Sequence, residues 1–213
     1  MPPDSGLAFV VVQHLSPDYK SLMNELLARH TSMIIHKVEN GMKVEENHIY
    51  LIPPRMNMTI VQGTLFLSEH TAVRTLNLPI DIFLRSLAKD QEKNAIAIIL
   101  SGTGSDGTLG IRAIKEFGGM TMAQDDRSAK FDGMPRSSIS TGMVDFILPP
   151  AKLAEELVTY IKHPFVTQKS QVFTQHEINE DQLAKVIGII KAYSTRVGFV
   201  KPLSLGRRRC SGI

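Results

Sequence analysis

Three glycines and a few acids mark where this chain could do chemistry. Gly102, Gly104 and Gly107 in "SGTGSDGTLG" spell G-x-G-x-x-G between an apolar run and a helical pattern. That arrangement lays a dinucleotide's pyrophosphate on helix amides, and Asp125 and Asp126 follow where a ribose-binding acid would stand. A tight strand-to-helix turn also needs glycine for backbone reasons alone. Asp106 weighs against the nucleotide, because a carboxylate inside the cradle repels phosphate from the helix amides. Little α/β sequence follows for a second mononucleotide half. Dinucleotide binding is therefore the weakest reading, and no binding of NAD or ATP is expected.

Asp106 reads better as an acid at the C-terminal end of a parallel strand, where α/β sheets build their sites. His14 ends the run "VVVQH" in an equivalent place. It could serve as a general base or simply cap its own turn. Together the two suggest two members of a Ser-His-Asp relay. The nucleophile is harder to find. Cys210 lies in the tail. Ser105 adjoins Asp106, and Thr103 stands where a G-x-S-x-G elbow needs glycine. Ser16 is two residues from His14 and is better used as a helix cap. His30, His36, His48 and His70 are scattered, without H-E-x-x-H or cysteine pairs, so no metal site is expected.

The elements that must position these residues alternate along the chain. Strands are expected at 7–13, 33–38, 48–54, 94–101, 120–126 and 143–150. A hairpin at 58–69 turns at Gln62-Gly63-Thr64. Helices are expected at 16–30, with Ser16 as N-cap and Pro17 in the first turn, and at 79–92. Further helices follow the glycine loop and occupy 135–141 and 151–163. This alternation predicts an α/β fold, a mostly parallel sheet covered by helices on both faces, with the hairpin as an antiparallel excursion. Residues 164–178 read as a linker. Asn179 and Gln182 give a capping-box start to an amphipathic helix over 179–194. Apolar residues make up 43% and charged residues 21%, which places the chain among ordinary globular proteins. The net charge of +3 is concentrated in "GRRRC" and does not argue for nucleic acid. One cysteine allows no internal disulfide. No apolar run is long enough to span a membrane and no signal peptide opens the chain, so a cytoplasmic location is expected.

Several long segments carry a family resemblance. "FVVVQHLSPDYKSLMNELL", "NHIYLIPP", "LPIDIFLRSLA", "ILSGTGSDGTLGIRAIKEFGG" and "FDGMPRSSISTGMVDFILPP", in this order, resemble the catalytic domain of CheB, the chemotaxis protein-glutamate methylesterase. The resemblance runs from about Leu7 to His163. "LPIDIFLRSLA" and "SGTGSDGTLG" look like the branch in which a CheB domain is fused ahead of a CheR-type methyltransferase. "VGFVKPLSLGRRRC" is similar to the start of a CheR N-terminal domain, with altered residues at Gly198 and Val200.

The resemblance implies a doubly wound fold and a Ser-His-Asp triad with His14 and Asp106 as two members, facing each other. The backbone near Thr103 and Gly104 would help form the oxyanion hole, where most chemotaxis members carry methionine at the Thr103 position. Met134, in "MPR", would pack beside the site. The family's serine lies in a G-x-S-x-G-G turn after a first strand, upstream of the histidine strand, and neither occurs in these residues. The resemblance thus implies a chain truncated at both ends. It spans a methylesterase domain at 1–163 without its nucleophile, a linker at 164–178 and the start of a CheR-type domain at 179–213. Two functions follow: a receptor methylesterase by lineage, inactive in this chain, or a non-catalytic module that binds receptor helices or a methyltransferase partner. Neither needs a metal or organic cofactor. The family's first strand is central, so strands 7–13 and 94–101 are each expected to lack one neighbour.

Overall fold

Apolar β-branched runs become strands and period-3.6 segments become helices in the computed structural model, which describes residues 3–13, 23–69 and 77–162. The order is β1 (Phe9–Val11), α1 (Met23–Ala28), β2 (Ile34–Lys37), β3 (Met42–Lys43), β4 (His48–Leu51), β5 (Met56–Val61) and β6 (Thr64–Glu69). Then come α2 (Pro79–Gln91), β7 (Ile96–Ile99), α3 (Thr108–Glu116), β8 (Met120–Gln124), α4 (Gly133–Ile139), β9 (Phe146–Leu148) and α5 (Pro150–Ile161). The start of the helix expected at 16–30, with Ser16 and Pro17, lies outside the described residues. So do the linker at 164–178 and everything after it.

The described strands form three three-stranded sheets, ordered β1-β4-β2, β3-β6-β5 and β7-β8-β9. The first and third are parallel, with Phe9 opposite Ile49, Ile35 opposite Ile49, Ile96 opposite Met120 and Met122 opposite Phe146. The second is the antiparallel excursion. Its turn is tighter than the sequence reading had it. Gln62 and Gly63 form it alone, at φ 49° and 68°, and Thr64 already pairs with Val61. Two left-handed residues match the twist of the flanking strands, which is why Gly63 serves here. β3 was not anticipated; two residues are too few to show a period. α4 starts two residues before the expected 135, because Pro135 needs no amide partner in a first turn.

Two apolar clusters hold these layers. Tyr50, Met58, Leu65, Phe83, Leu84, Ala97, Ile99, Ile111 and Ile114 belong to the larger, with Val10 against it. Met120, Met122, Leu153 and Leu157 form the smaller, with Phe9 and Ile96 against it. Adjacent residues of β1 and of β7 thus serve opposite clusters, as the period of two requires. Among the described residues β1 pairs with β4 alone and β7 with β8 alone, and the two do not pair with each other. No helix among them is long and apolar enough to cross a membrane. All of them lie in the compact unit Met1–Thr167.

Candidate active site

The glycine loop joins β7 to α3 and is held backbone to backbone. Gly102 donates its amide to the Phe131 carbonyl and accepts from the Met134 amide, both at 2.9 Å. A Cβ on Gly133 would come within 2.9 Å of the Gly104 amide nitrogen, so a side chain there would push α4 off the loop. The Ser101 amide donates to the buried Gln124 side chain at 2.9 Å, and the Ser137 hydroxyl donates to the Gly104 carbonyl at 3.3 Å. Gly107 is left-handed at φ 96°, and a Cβ there would meet the Ile99 side chain at 2.7 Å. The loop is thus fixed both by its neighbours and by its own glycines.

Asp106 is almost fully buried, at 3% exposure. Its Oδ2 accepts from the Ile80 amide at 3.0 Å and its Oδ1 from the Asp81 amide at 2.9 Å. These are the first amides α2 can offer, since Pro79 has none. The carboxylate therefore points at the N-terminus of α2. The sequence reading had it pointing into the cradle of its own loop, and the structure corrects that. The amide at the start of α3 is occupied all the same, by Asp81, whose Oδ1 accepts from Gly110 at 2.7 Å. Asp81 was missed because an acid in a helix's first turn reads as a partner for its own dipole. No local signal says that it caps another helix. Burial pushes the Asp81 carboxyl above its ordinary range; the amides of Gly110, Leu109 and Gly107 pull it back, and the negative charge of Asp106 adds to the rise.

Around this carboxylate the other expected residues take distinct places. Thr103 and Gly104 are exposed, and their amides donate to no acceptor among the described residues. Backbone amides held in place with no internal acceptor can stabilise a developing oxyanion. Met134 is buried directly under Gly102, where its sulfur fills the space a Cβ would need. Ser105 is exposed while Asp106 beside it is buried, and its carbonyl accepts from the Thr108 hydroxyl at 2.7 Å. His14 lies outside the described residues, three positions beyond the end of β1. Asp125, the expected ribose acid, accepts from both the amide and hydroxyl of Ser128 at 2.9 Å. It closes a turn after β8, and although desolvation raises its carboxyl, the Ser128 bonds hold it below the ordinary range. His36 stacks on Tyr50 at 5.2 Å and meets His48 edge-on at 5.1 Å. No group of three metal-ligating side chains occurs among the described residues.

Known proteins resemble this chain in sequence and in fold. The profile of the family described as CheB methylesterase matches residues 1–157. An uncharacterized 104.1 kDa protein of Rhodobacter capsulatus is 44% identical over 139 residues, 65% of this chain and 14% of that one. A protein-glutamate methylesterase/protein-glutamine glutaminase of Photorhabdus laumondii is 29% identical over 163 residues, 75% of this chain and 47% of that one. The chain thus spans half or less of the length of these curated relatives. The crystal structure of the Thermotoga maritima CheB methylesterase catalytic domain superposes with a TM-score of 0.68 at 28% identity, covering 75% of this chain and 87% of that one. With the family profile running from the first residue into α5, and a solved catalytic domain of the same fold beside it, the chain belongs to the CheB methylesterase family.

Proposed function

We propose that residues 1–163 form a methylesterase domain acting on glutamate γ-methyl esters of chemoreceptor helices, with His14 as general base and Asp106 as the acid that orients it. The observation that carries this reading is the buried Asp106 carboxylate, fixed by two amides, in a loop whose exposed residues Thr103 and Gly104 have amides with no acceptor among the described residues. In the reaction a serine oxygen attacks the ester carbonyl and His14 takes its proton. The tetrahedral oxyanion rests on the Thr103 and Gly104 amides. Methanol leaves with the proton from His14, and water then releases the glutamate and restores the serine. No G-x-S-x-G turn occurs in these 213 residues. The serine must therefore come from an added segment, and by itself the chain acts as a receptor- or partner-binding module. Residues 179–213 read as the start of a CheR-type domain after a linker at 164–178. The far longer Rhodobacter relative supports a domain of this kind inside larger polypeptides.

Methanol release from methylated chemoreceptor tests the proposal. The 213-residue chain should release none. A chain extended by a strand and a G-x-S-x-G-G turn should be active, and Asp106→Asn should lower its kcat by roughly 10³–10⁴-fold, as loss of the orienting acid does in such triads. A folded extended chain that releases no methanol, or an Asp106→Asn variant of full activity, overturns the reading. Release by the short chain that Ser105→Ala abolishes would move the nucleophile into the glycine loop.

A further inference from the structure

Asp81 has no part in the reaction as proposed, yet it is a carboxylate at 4% exposure beside a second buried carboxylate. Acids are buried this deeply almost only when held by specific partners. The partners here are reciprocal. Asp106 precedes α3 and accepts amides from α2; Asp81 belongs to α2 and accepts an amide from α3. Each helix start is capped by an acid from the other segment. The two helices also touch at Gly110, where a Cβ would lie 2.5 Å from the Leu84 Cβ.

This geometry fixes the register of α3 against α2. Asp106 stands two residues before the first residue of α3, so any slide of α3 carries its carboxylate with it. Each Asp106 oxygen accepts one α2 amide, so the orientation of the carboxylate follows the placement of α3 on α2. A neutral side chain could link the helices without placing two acids together. The repulsion between them is the kind of local conflict that persists at sites kept for function.

We propose that Asp81 is the positioning residue for Asp106: its bond to the Gly110 amide locks α3 onto α2 and thereby aims the Asp106 carboxylate at the general base. The aim at His14 rests on the function proposed above; the lock on Asp106 does not. Catalytic groups need placement within about 0.5 Å, so a lock at the root of the acid matters more than its distance from substrate suggests.

Hydrogen exchange read by mass spectrometry on the 213-residue chain tests both parts. Asp81→Ala should speed exchange of the Ile80 amide at least tenfold while the amides of β8 keep their protection. Asp81→Asn retains an acceptor for Gly110 and should restore Ile80. Exchange at the imidazole carbon of His14 gives its titration. Asp106→Asn should lower the titration point of His14, Asp81→Ala should lower it by at least half as much, and Asp81→Asn should recover most of the difference. Unchanged Ile80 protection in Asp81→Ala, or a failure of Asp81→Asn to rescue, overturns the lock. If Asp106→Asn leaves His14 unmoved, the triad reading falls, and Ile80 still decides the lock. If Asp81→Ala loses protection throughout the chain, Asp81→Glu, whose acceptor is displaced by one methylene, takes its place with the same outcomes.

Discussion

Acids in this chain are pulled in opposite directions by their surroundings. Asp81 is raised, by burial first and by the Asp106 charge in addition. Asp145 is lowered: burial alone would raise it, but the Lys115 ammonium and the amide and hydroxyl of Thr121 more than reverse this. The signs of their stability effects differ accordingly. A raised folded pKa gives stability that is present below the unfolded value and lost as pH rises through the folded one. A lowered pKa gives stability that is present above the unfolded value of about 3.9 and lost as pH falls through the folded one. Asp145→Asn should therefore lower the melting temperature at pH 7 and converge on the parent once the parent's Asp145 is protonated in acid. Parallel melting curves from pH 7 down to pH 2 would contradict this. At this scale the sequence pointed to chemistry by type and spacing, which singled out Asp106, found buried and held by two amides; His14, singled out with it, lies outside the described residues. The sequence did not show Asp81 or Gln124, whose importance lies in partners 29 and 23 residues away in the chain.

Helices α2 and α3 position the site by crossing closely, and Gly110 permits the crossing. It lies inside a helix, where glycine is unfavourable by about 1 kcal/mol relative to alanine, so helix propensity alone would predict gain from Gly110→Ala. Packing predicts the reverse. A Cβ would sit 2.5 Å and 2.7 Å from Leu84 Cβ and Cδ1, and the Cβ end of that side chain cannot swing away. Overpacking of this kind costs roughly 1–3 kcal/mol, which outweighs the propensity term. Gly110→Ala should lower the denaturation midpoint and loosen the Ile80 amide that Asp106 holds. A higher midpoint would mean that α2 and α3 separate more freely than their reciprocal caps allow. Elements of this length were largely legible from period and punctuation. The hairpin, α2, α3 and α5 appear where the pattern put them. β3 was not legible, since it exists only because β6 offers it a partner.

At the scale of the whole molecule the parallel strands fall into two sheets with facing obligations left open. β4 has β1 and β2 on its sides, and β8 has β7 and β9. β1 and β7 each have one neighbour among the described residues. Both strands are apolar and are packed on both faces, as interior strands are. Ile98, inside β7, and Leu100, just beyond its end, remain 36% and 48% exposed. An unpaired edge of this composition presents backbone donors and acceptors to any other chain that brings a strand. The isolated chain should therefore associate with itself as its concentration rises. Amides of β1 and β7 should exchange faster than those of β4 and β8, whose strands are paired on both sides. A lysine placed at Ile98 should reduce the association, because edge charge opposes strand-to-strand pairing. Sedimentation velocity across a concentration series reads the first and third effects, and peptide-level hydrogen exchange reads the second. A chain that stays monomeric throughout and melts in one sharp transition, with β1 and β7 as protected as β4 and β8, would show that those edges are closed by something other than a neighbouring strand.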